Sequence, residues 1–231
     1  MRILALDTAL NATQAAVYDA ASGTVMAQES VPMERGHAEA LVPMAGRVIE
    51  AAGLTFDQID RFVVTTGPGS FTGLRIGISA ARGFALVHGK PAVGVSTLTA
   101  FAAPLLFGQE RFAVAAAIDA RNGQVFFQAM ALGAKPLVPP GVYPLEDAAR
   151  KLGEGVFAYV GNAASRLARV RRDSGELPRA GVPAPVDSPA PDIAWVARLG
   201  AVADPAAAPA RPYYLRDANV TLSDRNRLER A

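Results

Sequence analysis

Cysteine is absent from the 231 residues, so disulfide scaffolds, thiolate metal centres and cysteine nucleophiles are excluded. Histidine is nearly absent too: His37 and His88 stand alone, too few for a histidine-built metal site. Lysine is scarce, with only Lys90, Lys135 and Lys151 among 23 basic residues. Arginine supplies the rest, and beside so much alanine it points to a GC-rich coding sequence rather than to phosphate recognition. An excess of one charge is also missing, because 21 acidic residues leave a formal net charge of +2. No concentrated basic face for autonomous nucleic-acid binding is therefore expected. No uninterrupted apolar run reaches the roughly 18 residues of a membrane helix. The opening MRILALD reads as a strand carrying an aspartate rather than a secretion signal. A soluble cytoplasmic protein is the expectation. What the chain does have is 51% hydrophobic against 19% charged residues, a composition that fills a substantial core in one large domain or two lobes.

Arg2 to Asp7, Gln14 to Asp19 and Thr24 to Ser30 predict three strands at hairpin spacing. Ala38 to Ala52 switches to a helical period, with Ala38, Leu41, Val42, Ala45, Val48, Ile49 and Ala52 on one face and Pro43 inside. Arg61 to Thr66 predicts a buried strand, followed by a helix to about His88, a strand over Pro91 to Val95, and a helix capped by Ser96. His88, just before Gly89, suits the negative end of its helix. A second pattern begins at Phe112: FAVAAAID, a turn at Asn122-Gly123, then QVFFQAMA, a strong hairpin signal. Helices are predicted from Pro144 and from Ala163, with a strand over Val156 to Val160. A proline-rich linker covers 177–191, and Asp192 caps a helix to Ala203. The tail from Arg211 is polar, with Tyr213, Tyr214 and Leu215 as anchors. Each half opens with an apolar strand ending in Asp, Asp7 or Asp119, and runs into a hairpin. This reads as a weak internal duplication with a shorter second copy.

Between strand and helix lies TTGPGSFTGLRIG, residues 65–77. Its glycines suggest a phosphate loop, yet the spacing fails both the G-x-x-x-x-G-K-[ST] and the G-x-G-x-x-G patterns. Amides at a helix N-terminus still leave room for an anion. The helix carries one apolar row at Leu74, Ile78, Ala81 and Ala85, and a second at Gly73, Gly77, Ala80 and Phe84. Only Arg75, Ser79 and Arg82 make a polar stripe. Such a helix is covered on more than one side, either by its own chain or by a partner. The reverse row of the preceding helix, His37, Ala40, Met44, Arg47 and Ala51, is less polar than an exposed face usually is. Together the two helices suggest a partner surface, in which His37 is an interface or capping side chain rather than a ligand. Asp7 with Thr8, and Asp119, end strands where α/β proteins place catalytic or metal-binding carboxylates, or where carboxylates satisfy turn amides. Gly161-Asn162-Ala163 is a feeble adenine-edge turn. Arg166, Arg169, Arg171 and Arg172 form a basic run of the kind that solvates a helix face.

ILALDTA, HAEALVP, TTGPGSFTGLRIG, GVSTLTAFA and AIDARNGQVFF, in that order, resemble the TsaB (YeaZ-like) family of bacterial tRNA threonylcarbamoyladenosine biosynthesis proteins. The resemblance covers residues 1 to about 130, with RPYYLRD near the end. It implies an α/β, actin-like ATPase (RNase H-like) fold in two lobes, each a sheet flanked by helices, the second reduced. The expected division is a first lobe over 1–105, a second over 106–210 and a tail over 211–231, with the helix over 192–204 packing back on the first lobe. The resemblance implies a non-catalytic partner of the catalytic subunit TsaD, acting with the ATPase TsaE, and touching tRNA only through that complex. In TsaD two histidines four residues apart bind a metal after the strand matching Pro91 to Val95; here those places are Thr97 and Phe101, which cannot replace imidazoles. No metal, catalytic residue or cofactor is therefore expected, with ATP or ADP held only weakly or at a complex interface. The dimer contact it implies is the helix pair, extended here to Gly69 and Phe71, with a homodimer possible when the chain is alone. Two alternatives remain: a phosphotransferase using Asp7 and Asp119, and a glycoprotease-like peptidase.

Overall fold

In the computed structural model of the chain, residues 1–108, 112–175 and 181–215 are described. The first sheet is built from β1 (Arg2–Asp7), β2 (Ala12–Asp19), β3 (Thr24–Pro32), β4 (Arg61–Gly67) and β5 (Ala92–Ser96). Its order is β3-β2-β1-β4-β5. The β1–β2 and β2–β3 pairs are antiparallel, whereas β1–β4 and β4–β5 are parallel. Parallel neighbours require crossovers, which α1 (His37–Ala51) and α2 (Phe71–His88) provide. The helix α3 (Thr97–Phe107) then leads to a second sheet of β6 (Ala113–Asp119), β7 (Gln124–Ala131), β8 (Lys135–Pro144) and β9 (Phe157–Val160). Its order, β8-β7-β6-β9, repeats the first sheet without the fifth strand. Val186 makes a lone parallel bridge to Val160 in the fifth strand's place. This is the actin-like, two-sheet α/β plan with a reduced second lobe.

The central strands of both sheets are buried on both faces. On β1, Leu4 and Leu6 face Met44 and Val48 of α1 and Leu74 and Ile78 of α2. Ile3 and Ala5 point the other way, into Ile193, Val196 and Ala197 of α6 (Ile193–Val202). A strand covered on both sides reads as a continuous apolar run, which is why RILALD looks as it does. The same alternation holds in β6. Val114, Ala116 and Ile118 meet Leu98, Phe101 and Leu106 of α3, while Ala115 and Ala117 meet α4 (Leu145–Lys151) and α5 (Ala164–Asp173). The last described helix therefore closes the first sheet. The Asp192 side chain accepts from the Ala194 amide at 2.9 Å, and Arg61 donates to the carbonyls of Gly200, Ala201 and Ala203 at 2.7 to 3.0 Å. These bonds satisfy both ends of α6. Gly200 lies against Val63, where any Cβ would collide with the valine.

Three local features add to the sequence reading. β8 is not signalled in the sequence, because Pro136, Pro139 and Pro140 read as loop; β8 pairs only with β7, and an edge strand tolerates proline. His88 stands in the last turn of α2 before Gly89, as expected, and also stacks on Phe56 and bonds Asp57 at 2.7 Å, clasping the short turn Phe56–Gln58. The linker over 177–191 lies partly outside the described residues; from 181 onward it is tied in, with Val186 donating to Tyr159 at 3.1 Å and Asn11 to Pro189 at 3.2 Å. The tail beyond Leu215 also lies outside them. No described helix is long and apolar enough to cross a membrane.

Candidate functional site

The glycine-rich turn after β4 packs on the turn after β1. Ser70 donates its amide to the Ala9 carbonyl at 2.7 Å, and the Thr8 hydroxyl donates to the Gly73 carbonyl at 2.7 Å. A Cβ on Gly69 would strike the Ala9 carbonyl, and one on Gly73 the Thr8 carbonyl. A Cβ on Gly77 would sit 2.6 Å from the Thr8 hydroxyl. The two turns able to cradle a phosphate thus fill each other. Gly67 has φ +120°, a backbone position suited to glycine alone, and Ser70 caps α2 by accepting from the Gly73 amide at 3.3 Å.

This overturns part of the partner-surface expectation. Gly73 and Gly77 are buried against their own chain rather than thinning an outer face, and Gly69 is pressed on Ala9. On α1, His37 and Met44 are buried as well. The Thr13 hydroxyl and His37 Nδ1 share a hydrogen bond of 2.7 Å. Burial pulls the imidazole below its ordinary 6.5, an effect that the Asp7 charge partly offsets. The buried face of α1 is turned by about half a residue step from the expected one, taking in His37 and Met44 and leaving Ala38 and Val42 outside. Ala40, Ala80 and Phe84 are half-buried, and Phe84 packs on Phe56 and Phe62 with centroids 4.9 and 5.7 Å away. Phe71 and Arg47 are exposed, Arg47 holding Glu29 at 2.7 Å.

The outer stripe of α2 is instead Phe71, Arg75, Ser79, Arg82 and Leu86, spaced four, four, three and four residues apart. Leu86 is 85% and Val87 77% exposed, and Val42 on α1 is 51% exposed. Leu86 and Val87 thus form an exposed apolar pair at the end of α2, with Val42 exposed on the neighbouring helix. Leu86 and Val87 were readable as falling off the Leu74–Ile78–Ala81–Ala85 row, a signal that sequence reasoning passed over.

The three candidate ligands of a nucleotide do not converge. Asp7 is fully buried; it accepts from the Thr65 hydroxyl, the Ala9 amide at 3.1 Å and the Gln14 amide group at 3.1 Å. Gln14 also donates to the Pro191 carbonyl at 2.9 Å, so the segment entering α6 covers this carboxyl. Burial pushes Asp7 above its ordinary 3.8, and the three hydrogen bonds partly counter that rise. Thr8 is sealed under α2. Asp119 alone reaches the surface, where Arg166 holds it at 3.0 Å and the Arg121 amide donates to it at 3.2 Å. Asp119, Arg121 and Asn162 wall one side of a cleft of about 490 Å³, facing Asn11, Ser70 and Phe71 across it. The Asn162 side chain accepts from the Asp119 amide at 2.7 Å. Thr97 and Phe101 are both buried in α3. Of the basic run, Arg166 is spent on Asp119 and Arg169 approaches Asp173 at 3.9 Å, while Arg171 donates to the carbonyls of Ala149, Gly153 and Gly155.

Residues 26–169 match the model of the TsaD family, tRNA N6-adenosine threonylcarbamoyltransferase. The TsaB protein of Escherichia coli, named for tRNA threonylcarbamoyladenosine biosynthesis, is 41% identical over 128 residues, 55% of this chain and 54% of its own length. Its Haemophilus influenzae counterpart is 34% identical over 55% of this chain and 52% of its own. The chain thus spans about half the length of the curated relatives it matches. A solved structure, YeaZ from Pseudomonas aeruginosa, superimposes with a TM-score of 0.74 at 27% identity, over 93% of this chain and 99% of that one. By that match, and by likeness in both lobes to YeaZ, the chain belongs to the tRNA N6-adenosine threonylcarbamoyltransferase family as a TsaB/YeaZ-like member.

Proposed function

We propose that this chain is the non-catalytic partner subunit of a tRNA threonylcarbamoyl transferase. In this reading it binds a TsaD-like catalytic subunit in the cytoplasm. It supports formation of threonylcarbamoyladenosine beside the anticodon of tRNAs that read codons beginning with A. A TsaE-like ATPase joins the same complex, and tRNA is met only through it. The observation that carries the reading is the mutual sealing of the Thr8–Ala9 and Gly69–Gly73 turns, in a chain whose relatives are named for this pathway. A nucleotide-using member of the fold needs those turns open to phosphate; here Thr8 and Ala9 are buried against Gly69 and Gly73, and only the tips at Asn11 and Ser70 face the cleft. Thr97 and Phe101, buried where the catalytic relative carries imidazoles, support the same division of labour. The exposed apolar end of α2 with Val42 supplies the docking face.

The test is reconstitution. Mixed with a purified TsaD-like subunit, the chain is expected to co-elute from a sizing column as a heterodimer. With a TsaE-like protein, ATP and unmodified tRNA, modification is expected to depend on its presence. A chain that elutes separately, or that turns over Mg-ATP alone and stops on Asp7→Asn, overturns the proposal.

A further inference from the structure

The segment following α6 runs back along the first sheet. The Ala208 carbonyl accepts from the Gly94 amide at 2.9 Å, and Pro209 bridges Val93 in antiparallel sense along the sheet's β5 edge. A Cβ on Gly94 would meet the Thr66 methyl and lie 2.8 Å from the Pro209 carbonyl, so the strand is shaped for both neighbours. Farther on, Tyr213 donates its amide to the Thr66 carbonyl at 2.8 Å. The Tyr213 carbonyl would be 2.7 Å from a Cβ on Gly67. Tyr214 then stacks on Phe71, with centroids 5.2 Å apart, and its hydroxyl accepts from Arg75 Nε at 3.2 Å. The Arg75 guanidinium lies 3.8 Å over the same Phe71 ring. Tyr213, Tyr214 and Leu215 also border the cleft between the lobes.

Two features make this strap detachable. Ala210 anchors it in the core of the first lobe, but beyond that residue it is held by isolated hydrogen bonds, one aromatic stack and the half-buried Leu215 rather than by a ladder, and Tyr213 and Tyr214 remain 44% and 42% exposed. Segments with few buried contacts open at low free energy while the sheet stays intact. Its last contact also falls on a meaningful place: Phe71 and Arg75 are the first two positions of the outer stripe of α2.

We infer that residues 208–215 form an intramolecular strap, anchored at Ala210, whose Tyr214 occupies the N-terminal end of the α2 docking stripe, so that a protein partner docking there displaces its 213–215 end and unroofs the cleft. The inference rests on the reading that α2 docks the catalytic subunit. The strap competes with the partner for Phe71 and Arg75, and its release couples docking to the cleft wall at Pro68, Gly69 and Ser70. Apparent affinity for the partner is then lowered by the fraction of molecules with the strap closed.

The experiment uses the full chain as wild type, Tyr214→Ala and Tyr214→Phe. Hydrogen exchange at Tyr213 and Gly94 reads the strap, and amides of β1 and β4 read the fold. Tyr214→Ala is expected to speed exchange at Tyr213 about tenfold with the sheet amides unchanged. It is also expected to bind the purified catalytic threonylcarbamoyltransferase subunit about tenfold more tightly, with Tyr214→Phe between the two. In the wild-type complex, exchange at Tyr213 is expected to rise. Equal or weaker affinity for Tyr214→Ala, or Tyr213 exchanging in step with β1, overturns the strap while leaving docking intact. No complex with any of the three proteins overturns the docking reading, and the coupling with it.

Discussion

One added methyl group tests the sealed turn. Gly73→Ala forces a Cβ into the Thr8 carbonyl, against backbone that cannot swing aside. Urea unfolding is expected to show a loss of about 1 to 3 kcal/mol, the range for overpacking a tight site. A loss below about 0.5 kcal/mol, typical of an open surface position, would return Gly73 to the outer face. Asp7 offers a second test through pH. Its folded-state pKa is raised from 3.8, so its carboxyl binds a proton more tightly in the folded chain than in the unfolded one. That contribution is full below 3.8 and is lost as pH rises through the folded value. His37 has the opposite sign: lowered from 6.5, it contributes stability present above 6.5 and lost as pH falls through its folded value. Stability measured by denaturation from pH 4 to 7 is expected to shift steadily in favour of Asp7→Asn over wild type as pH rises. Parallel profiles would show that burial does not perturb this carboxyl. Neither sealing was legible in the sequence. Asp7 is covered by Pro191 through Gln14, 177 residues distant along the chain, and no local pattern encodes such a contact.

At the scale of elements, the hydrophobic period predicted where helices run better than which way they face. In α2 the row Leu74, Ile78, Ala81 and Ala85 is buried as the spacing implies. The glycine row was ambiguous because a residue without a side chain records close approach but not by what. In α1 the phase slipped because His37 and Met44, polar and pliant, passed for surface residues. The corrected outer faces give a sharper prediction. Leu86→Glu combined with Val87→Glu is expected to change stability by no more than about 0.5 kcal/mol, since both side chains already meet water. The same variant is expected to weaken the heterodimer by more than about tenfold in calorimetry, as a charge buried in an apolar contact does. Unchanged affinity would move the docking face off the end of α2. β8 shows the converse failure: its prolines hid a strand that only its edge position permits.

At the scale of the whole molecule, the two-lobed plan was legible because both copies carry the same signals: an apolar strand ending in Asp, a hairpin, then alternating helix and strand. The lobes are nevertheless not independent. Ile3, Ala5, Val63 and Val93 on the outer face of the first sheet are covered by α6, which comes from the far end of the chain. A fragment ending at residue 105 leaves that face bare, about the size of patch that drives association. It is expected to bind a hydrophobic dye and to unfold without a cooperative transition, whereas the full chain unfolds cooperatively. A soluble fragment with a sharp urea transition would show that α6 decorates the first lobe rather than completing it.

The position of α6 also sets a timetable for synthesis. Strands β1 to β5 leave the ribosome by Ser96, and α6 begins only at Ile193. At about 5 to 20 residues per second, the first sheet waits on the order of 5 to 20 seconds for its cover. Throughout that interval the nascent chain presents an apolar sheet face, a substrate for chaperones and a point of mutual sticking between neighbours on one message. Slowing translation between the second sheet and α6 would lengthen that exposure without altering a single residue.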